Sequence, residues 1–366
     1  MTLHRRDMLK AGAALSAVAI LRRPADAQAF APQPGAWRRF EVTTKLEIAP
    51  ADGAAQAWIP LPSVNETDWF QSLDSTWTTN GVATRVRDTG HGAAMLHVAW
   101  AANEKTPVVE IVSKVATRDR AIDIAAPRAA ALLPDAERRL YLAGTDLIPV
   151  DGIVKETSDR IVAPARTDVE KARAIYEWVV ENTYRNAATR GCGIGDIAAM
   201  LKSGALGGKC ADINALYVGL ARAAGLPARD VYGIRVAPSK FGYKALGANS
   251  ATITKAQHCR AEVWLAGLGW MPVDPADVRK VMLEEPPANL PIDDPKVAAA
   301  RKVLFGAWEG NWLAYNFAHD VALPGSRGPK VGFLMYPQAE VANARLDCLD
   351  PDTFKYTIVS KDVTAA

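Results

Sequence analysis

The chain has 366 residues, 49% of them hydrophobic and 23% charged, with 43 Lys and Arg against 40 Asp and Glu for a formal net charge of +3. That length and apolar content supply material for two cores in series. The near balance of charge removes any global electrostatic case for nucleic acid or an anionic membrane as partner. The small surplus sits within residues 1–27, where Arg5, Arg6, Lys10, Arg22 and Arg23 face only Asp7 and Asp26.

That first segment reads as an export signal. Arg5 and Arg6 precede Asp7-Met8-Leu9-Lys10, an apolar stretch runs from Ala11 to Leu21, and Pro24-Ala25-Asp26-Ala27 offers a small-residue cleavage pattern. This is the twin-arginine type of signal, and it places the mature protein in the periplasm or outside the cell. The apolar stretch falls short of the roughly 20 residues that span a bilayer. No comparable run follows, so no transmembrane span is expected.

From Trp37 to about Asp123 the pattern has period two, as in Phe40 to Ile48, Ala55 to Pro62, Met95 to Trp100 and Val108 to Val115. Such runs, separated by Gly- and Asp-containing turns, predict an antiparallel β-sandwich over 37–123. Helix composition takes over from Ala126 to Leu142, and a stronger helix follows Thr167-Asp168, where Val169, Ala172, Ile175, Tyr176 and Val179 recur at helical spacing. Beyond Cys210, the residues Ile213, Leu216, Tyr217, Leu220 and Ala221 predict a core-facing helix that ends at Gly225-Leu226-Pro227.

Asp230 to Val236 reads as a strand, and the polar segment from Ala237 to Lys255 as a loop able to overhang a cleft. Two strands follow, joined by the three-residue hairpin loop Ala266-Gly267-Leu268. In that register Leu265 lies opposite Gly269, and His258 is a diagonal neighbour of Asp274 on one face. The Pro-rich stretch from Glu285 to Pro295 marks a linker. Trp308, Trp312, Tyr315 and His319 then fall at helical spacing and read as a core-facing aromatic stripe, with the segment 305–320 alternatively closing one wall of a cleft.

The chemistry concentrates in Cys210, His258 and Asp274. A thiol at the first turn of an apolar helix gains from the unpaired N–H groups and the macrodipole, and a neighbouring imidazole can hold its proton. An acid across the hairpin would orient that imidazole. Gly207 and Gly208 would let a substrate backbone approach closely. His319, the other downstream histidine, has no such acid facing it, and His258 is preferred over it. The N–H of Cys210 would serve an oxyanion, with Tyr184 a candidate for the second donor. Arg222 and Arg229 read as structural ties between helix and strand.

Four cysteines are present, Cys192, Cys210, Cys259 and Cys348, and none forms a CxxC pair, so neither a zinc site nor any other metal is implied. No nucleotide-binding motif occurs and no cofactor is implied. Any disulfide should exclude Cys210, with Cys192 and Cys348 paired to each other or to Cys259. Cys259, next to His258 on a strand, should point away from the catalytic face.

The stretch from about Ala172 to Lys280 resembles the transglutaminase-like core of the papain-like fold. The matching residues are Gly207-Gly208-Lys209-Cys210, Leu220 to Arg229, His258 with Glu262 and Trp264, and Gly269-Trp270-Met271-Pro272-Val273-Asp274-Pro275, with gaps of 48 and 16 residues between Cys, His and Asp. Arg260 stands where the family commonly has an aromatic. The resemblance implies Cys210 as nucleophile, His258 as base and Asp274 as orienter. It also implies an α+β chain: an N-terminal antiparallel sandwich, a papain-like, transglutaminase-like core over 124–284 and a C-terminal extension over 285–366 packing on that core.

The activity expected is that of a cysteine peptidase or amidase working on a peptide or protein substrate through a thioester. Transamidation by a lysine or other amine, or a non-catalytic binding scaffold, are the alternatives. Oligomeric state is left open.

Overall fold

Buried and exposed residues alternate along the strand Arg38–Ile48, which turns Phe40, Val42, Leu46 and Ile48 inward, as the period-two pattern requires. The computed structural model describes residues 29–49, 53–127, 132–350, 352 and 354–364. The export signal assigned to residues 1–27 lies outside the described residues.

Two antiparallel sheets make the sandwich. One runs, in spatial order, Phe354–Asp362, Arg38–Ile48, Val108–Thr117, Phe70–Thr79 and Asn65–Glu66. The other runs Ala344–Arg345, Gln338–Val341, Ala55–Pro60, Ala94–Trp100 and Val82–Arg87. Leu46, Ile48, Ile59, Leu96, Val98 and Phe354 pack between them. The last strands of the chain therefore complete sheets begun by the first ones, rather than resting on the core as an appendage. Local alternation identifies such strands, but it carries no information about a ladder whose partner lies more than 300 residues away.

Between these two contributions to the sandwich the chain builds the α+β core. Its sheet has the order Gly269–Val273, Gln257–Leu265, Ala228–Arg235 and Trp312–Asn316, with every neighbouring pair antiparallel. The helix Cys210–Ala223 is buried along its whole length, because the sheet covers one side and helices Gly152–Val162 and Asp168–Asn182 cover others. The Asp168–Asn182 helix begins with a reciprocal cap between Thr167 and Glu170. Arg222 locks the end of the central helix to the next strand, donating from Nε to the Ala228 carbonyl at 2.8 Å.

The aromatic segment differs from its predicted helix. Ala307–Trp308 pairs with Arg120–Ala121, Trp312–Asn316 pairs with Ala228–Arg235, and His319–Val321 pairs with Val331–Phe333. Gly306 and Gly310 interrupt any helix here, and at Gly310 a Cβ would lie 2.3 Å from the Arg118 carbonyl carbon. The tryptophans still face a core, Trp308 meeting Trp69 edge-on and Trp312 stacking on it, and they do not line the cleft.

Phe354, 1% exposed, plugs the sandwich from the last strand. Phe354→Ala should cost about 3–5 kcal/mol of stability, read as a lowered urea midpoint with the slope unchanged. A change confined to the C-terminal strand, with the global midpoint retained, would show that this strand is not part of the cooperative unit.

Candidate active site

The helix Cys210–Ala223 opens at Cys210, which is 3% exposed and carries the first of the N–H groups that find no acceptor within the helix. The hairpin Gln257–Leu265 and Gly269–Val273 has the register expected of its turn, with Leu265 opposite Gly269 and Ala261 opposite Val273. This register brings His258 and Asp274 together: His258 Nε2 and Asp274 Oδ2 are 2.7 Å apart. Nε2 is thereby committed to the acid, which leaves Nδ1 as the nitrogen available to the thiol.

Asp274 is also the cap of the helix Pro275–Glu284. Its Oδ1 accepts the Asp277 N–H at 3.0 Å and Asn214 Nδ2 at 3.2 Å. Asn214 lies one turn beyond Cys210 on the same helix. It donates as well to the Cys259 carbonyl at 2.8 Å and accepts the Ala276 N–H at 3.2 Å. One amide thus joins the thiol-bearing helix to the strand of His258 and to the helix of Asp274.

Sequence reasoning missed Asn214 and Asp277. The run Asp274-Pro275-Ala276-Asp277 is a helix-start signature and could have flagged the second of them. Asp277 Oδ1 is 3.3 Å from His258 Nε2 and 2.5 Å from Arg235 Nη2. Burial would raise its pKa, but Arg235 and His258 hold the Asp277 carboxyl well below the usual range.

The electrostatics favour a charged pair. Burial opposes the His258 imidazolium and Arg235 repels it, yet Asp277 and Asp274 together raise its pKa above the ordinary 6.5. Burial likewise opposes a Cys210 thiolate. Hydrogen bonds from Cys192, Cys259 and His258, with the charge of His258, reverse the balance and hold the Cys210 pKa well below its ordinary 9.0. The neighbouring thiols of Cys192 and Cys259 are pushed well above that value and stay protonated as donors.

Cys259 therefore does not point away from Cys210. His258 and Cys259, consecutive on the strand, both act on the Cys210 sulfur. All four cysteines are free thiols, so no bridge joins Cys192 to Cys348 or Cys259, and Cys192 instead acts on the Cys210 sulfur. Asp212 ties the neighbouring loop to the helix start, accepting N–H bonds from Lys209, Ile194 and Gly195 at 2.9, 3.0 and 2.9 Å. It draws the loop of Cys192 over the helix start, where the Cys192 carbonyl accepts the Ala211 N–H at 2.9 Å.

The glycine pair serves this packing rather than a substrate. A Cβ on Gly207 would lie 2.2 Å from Tyr184 Cζ, and one on Gly208 would lie 2.4 Å from Asp212 Oδ2. Tyr184 itself does not line the cleft. His319 lies away from Cys210, 3.4 Å from Asp230 and in contact with Tyr232. Arg229 is held by Glu262 and Glu66, in keeping with a structural tie.

Arg260, in the position of the expected aromatic, is clasped between Trp308 and Trp312 at 5.1 and 4.7 Å. It stands 3.7 Å from Asp274, and burial with the charge of Arg235 lowers its pKa to about 10. His258, Asp274 and Asp277 present ligand atoms within 4.8 Å of one another. Arg235 and Arg260 already balance their charge, which leaves little electrostatic reason for a metal cation there.

The cleft in front of Cys210 and His258 has a volume of about 870 Å³. The 247–257 loop forms one wall and the edge of the sandwich, through Tyr356 and Thr357, forms another. Hydrogen bonds from Ile253 N–H to the Ile358 carbonyl and from Ser360 N–H to the Ala251 carbonyl fasten loop to strand. Among the described residues no helix is long and apolar enough to cross a membrane.

Residues 155–275 match the transglutaminase-like superfamily. An uncharacterized protein of Haemophilus influenzae is 36% identical over 328 residues, covering 85% of this chain and 87% of that protein. Among solved structures, a candidate cysteine protease from Cytophaga hutchinsonii is similar in fold at a TM-score of 0.57 and 11% identity, over 91% of this chain and 93% of that one. The periplasmic domain of TgpA from Pseudomonas aeruginosa aligns at a TM-score of 0.35 and 16% identity, over 67% of this chain and 73% of its own.

Asn214→Ala removes the donor that joins helix, strand and acid. It should cost about 1–3 kcal/mol of stability and slow alkylation of Cys210. Unchanged stability and an unchanged alkylation rate would show that Asp274 is positioned without it.

Proposed function

Because the chain belongs to the transglutaminase-like superfamily, we propose that it is an exported cysteine hydrolase that cleaves a peptide or amide bond through a thioester on Cys210. The observation that carries this reading is a thiol at a helix start that lines one cleft with an imidazole, the imidazole Nε2 lying 2.7 Å from a buried carboxylate, with the charge of His258 helping to hold the Cys210 pKa below its ordinary value. Export rests on the arginine pair and apolar stretch within residues 1–27.

The steps follow from the charges. The Cys210 thiolate attacks the carbonyl carbon, and the negative charge moves to the carbonyl oxygen, where the Cys210 N–H at the helix start is the donor at hand. Collapse of this adduct breaks the C–N bond. His258 passes its proton to the departing amine and becomes neutral. It then takes a proton from water, the hydroxide attacks the thioester, and collapse releases the carboxylic acid and restores the Cys210 thiolate beside the His258 imidazolium. Asp274 holds the ring orientation and offsets its positive charge in the first half of the cycle.

Mass spectrometry of peptide libraries incubated with the protein and an added amine tests the reading. Hydrolysed products from the wild type and none from Cys210→Ala are expected, whereas amine adducts would replace water by an amine acceptor in the last step. Cys210→Ala should lower turnover on the order of 10⁶-fold and Asp274→Asn by a smaller factor of roughly 10³ to 10⁴. Equal turnover by wild type and Cys210→Ala would leave only the binding scaffold.

The two pKa directions set a bell-shaped profile. Activity rises as pH passes the lowered Cys210 value, where the thiolate forms, and falls as pH passes the raised His258 value, above 6.5, where the imidazolium is lost. Asp277→Asn removes a charge that raises His258, so the falling limb should move to lower pH. A limb that stays in place would dissociate it from His258.

A further inference from the structure

We propose that the cleft beside Cys210 selects substrates that carry a carboxylate near the bond attacked, with Lys280, Arg185 and Lys209 as the residues that receive it. This rests on the cysteine-hydrolase reading and adds its substrate class.

The charge of the cleft does not follow from the charge of the chain. Lys and Arg exceed Asp and Glu by only three over the sequence, yet among the described residues eight lysine and arginine side chains line the cleft against the one carboxylate of Glu47. Glu47 is already engaged, 2.8 Å from Lys45 and opposite Lys355 in the sandwich ladder. Field lines in a low-dielectric recess of one sign concentrate an oppositely charged ligand.

The inner end shows the imbalance most sharply. Arg185, Arg235 and Lys280 converge there, and the carboxylates that answer them, Glu284 and Asp277, lie outside the lining. Glu284 is shared: it pairs with Arg185, and Lys280 Nζ stands 3.7 Å from its other oxygen, beyond a hydrogen bond. Burial, followed by the charge of Arg235, disfavours the Lys280 ammonium and lowers its pKa.

Arg235, 2% exposed, has a buried Nε with no acceptor. A carboxylate placed at this end would give Lys280 a full partner and reduce the mutual repulsion of three cations. Lys280 keeps 18% of its side chain exposed, enough for an incoming group to reach. Lys209, immediately before the thiol, and Lys255 on the loop have no ion pair among the described residues and extend the positive rim toward Cys210.

A carboxylate could belong to an Asp or Glu side chain or to a chain terminus, and two probes separate selection from catalysis. In the first, Cys210 of the full protein is alkylated with iodoacetate or with iodoacetamide, which are close in size but anionic and neutral respectively, and its modification is followed by mass spectrometry. The ratio of rates, iodoacetate over iodoacetamide, should exceed that of a free thiol by about tenfold or more, shrink at high salt, and drop in Lys280→Gln while the iodoacetamide rate stays as in wild type.

Retention of that neutral rate shows the variant is folded, and Lys209→Gln on the rim provides a second reading. A ratio equal to that of a free thiol, or one that neither variant lowers, overturns the carboxylate site while leaving the reactive cysteine in place. Failure of Cys210 to react with either reagent removes the hydrolase reading, and this inference with it.

In the second probe, peptides carrying Glu or Gln, each with a free or an amidated C-terminus, are compared by KM. A lower KM for the Glu peptides identifies a side-chain carboxylate, and a lower KM for the free acids identifies a terminus. In either case Lys280→Gln should abolish the preference with little change in kcat. Equal KM for all four overturns the proposal.

Discussion

A carboxylate that is fully buried can be tolerated only if its charge is opposed and its lone pairs are filled, and Asp274 meets that demand from three directions. His258 comes from a strand, Asn214 from the thiol-bearing helix, and the Asp277 N–H from the first turn of the helix that Asp274 itself caps. Because each donor belongs to a different element, satisfying one side chain fixes the relative placement of sheet and helices. Cys210 then inherits its position from Asn214, one turn along the same rigid segment. Architecture and reactivity are coupled through this acid.

The rest of the core supports that arrangement. Trp312 donates from Nε1 to the His258 carbonyl at 3.0 Å, steadying the strand behind the imidazole, and with Trp308 it holds Arg260 against the acid. Arg235 performs the corresponding task for Asp277, with a further bond from Nη1 to the Leu246 carbonyl at 2.6 Å. Two aspartates and one histidine without solvent would be untenable. Two guanidiniums flank them, and with the proton kept on the imidazole the Cys210 thiolate brings the buried cluster to neutrality.

Much of this was readable because it depends on short-range order. A three-residue hairpin loop sets its own register, and that register alone makes His258 and Asp274 neighbours. The helix beginning at Cys210 follows from spacing and from Gly225, which takes φ +83° just beyond its end. The aromatic residues after Ala307 were misread because gaps of four, three and four satisfy helical geometry as well as they satisfy separate buried strands. Only their distant ladders with Arg120–Ala121 and Ala228–Arg235 decide between them. The surroundings of the thiol were illegible for a related reason. Cys192 reaches Cys210 through a loop folded over Asp212, an arrangement with no period to detect.

The pairing of the first described strand with the last one orders events in time. Arg38–Ile48 gains its outer neighbour only when Phe354–Asp362 is available, and that same strand supplies Tyr356 to the cleft and fastens the loop facing it. Cys210, His258 and Asp274 all precede that strand in the sequence, so they are made before the binding surface can be finished. Closing a loop of this length adds an entropic barrier that local helix formation does not face. Docking of the Phe354–Asp362 strand, rather than assembly of the reactive residues, is the step at which the cleft comes into being.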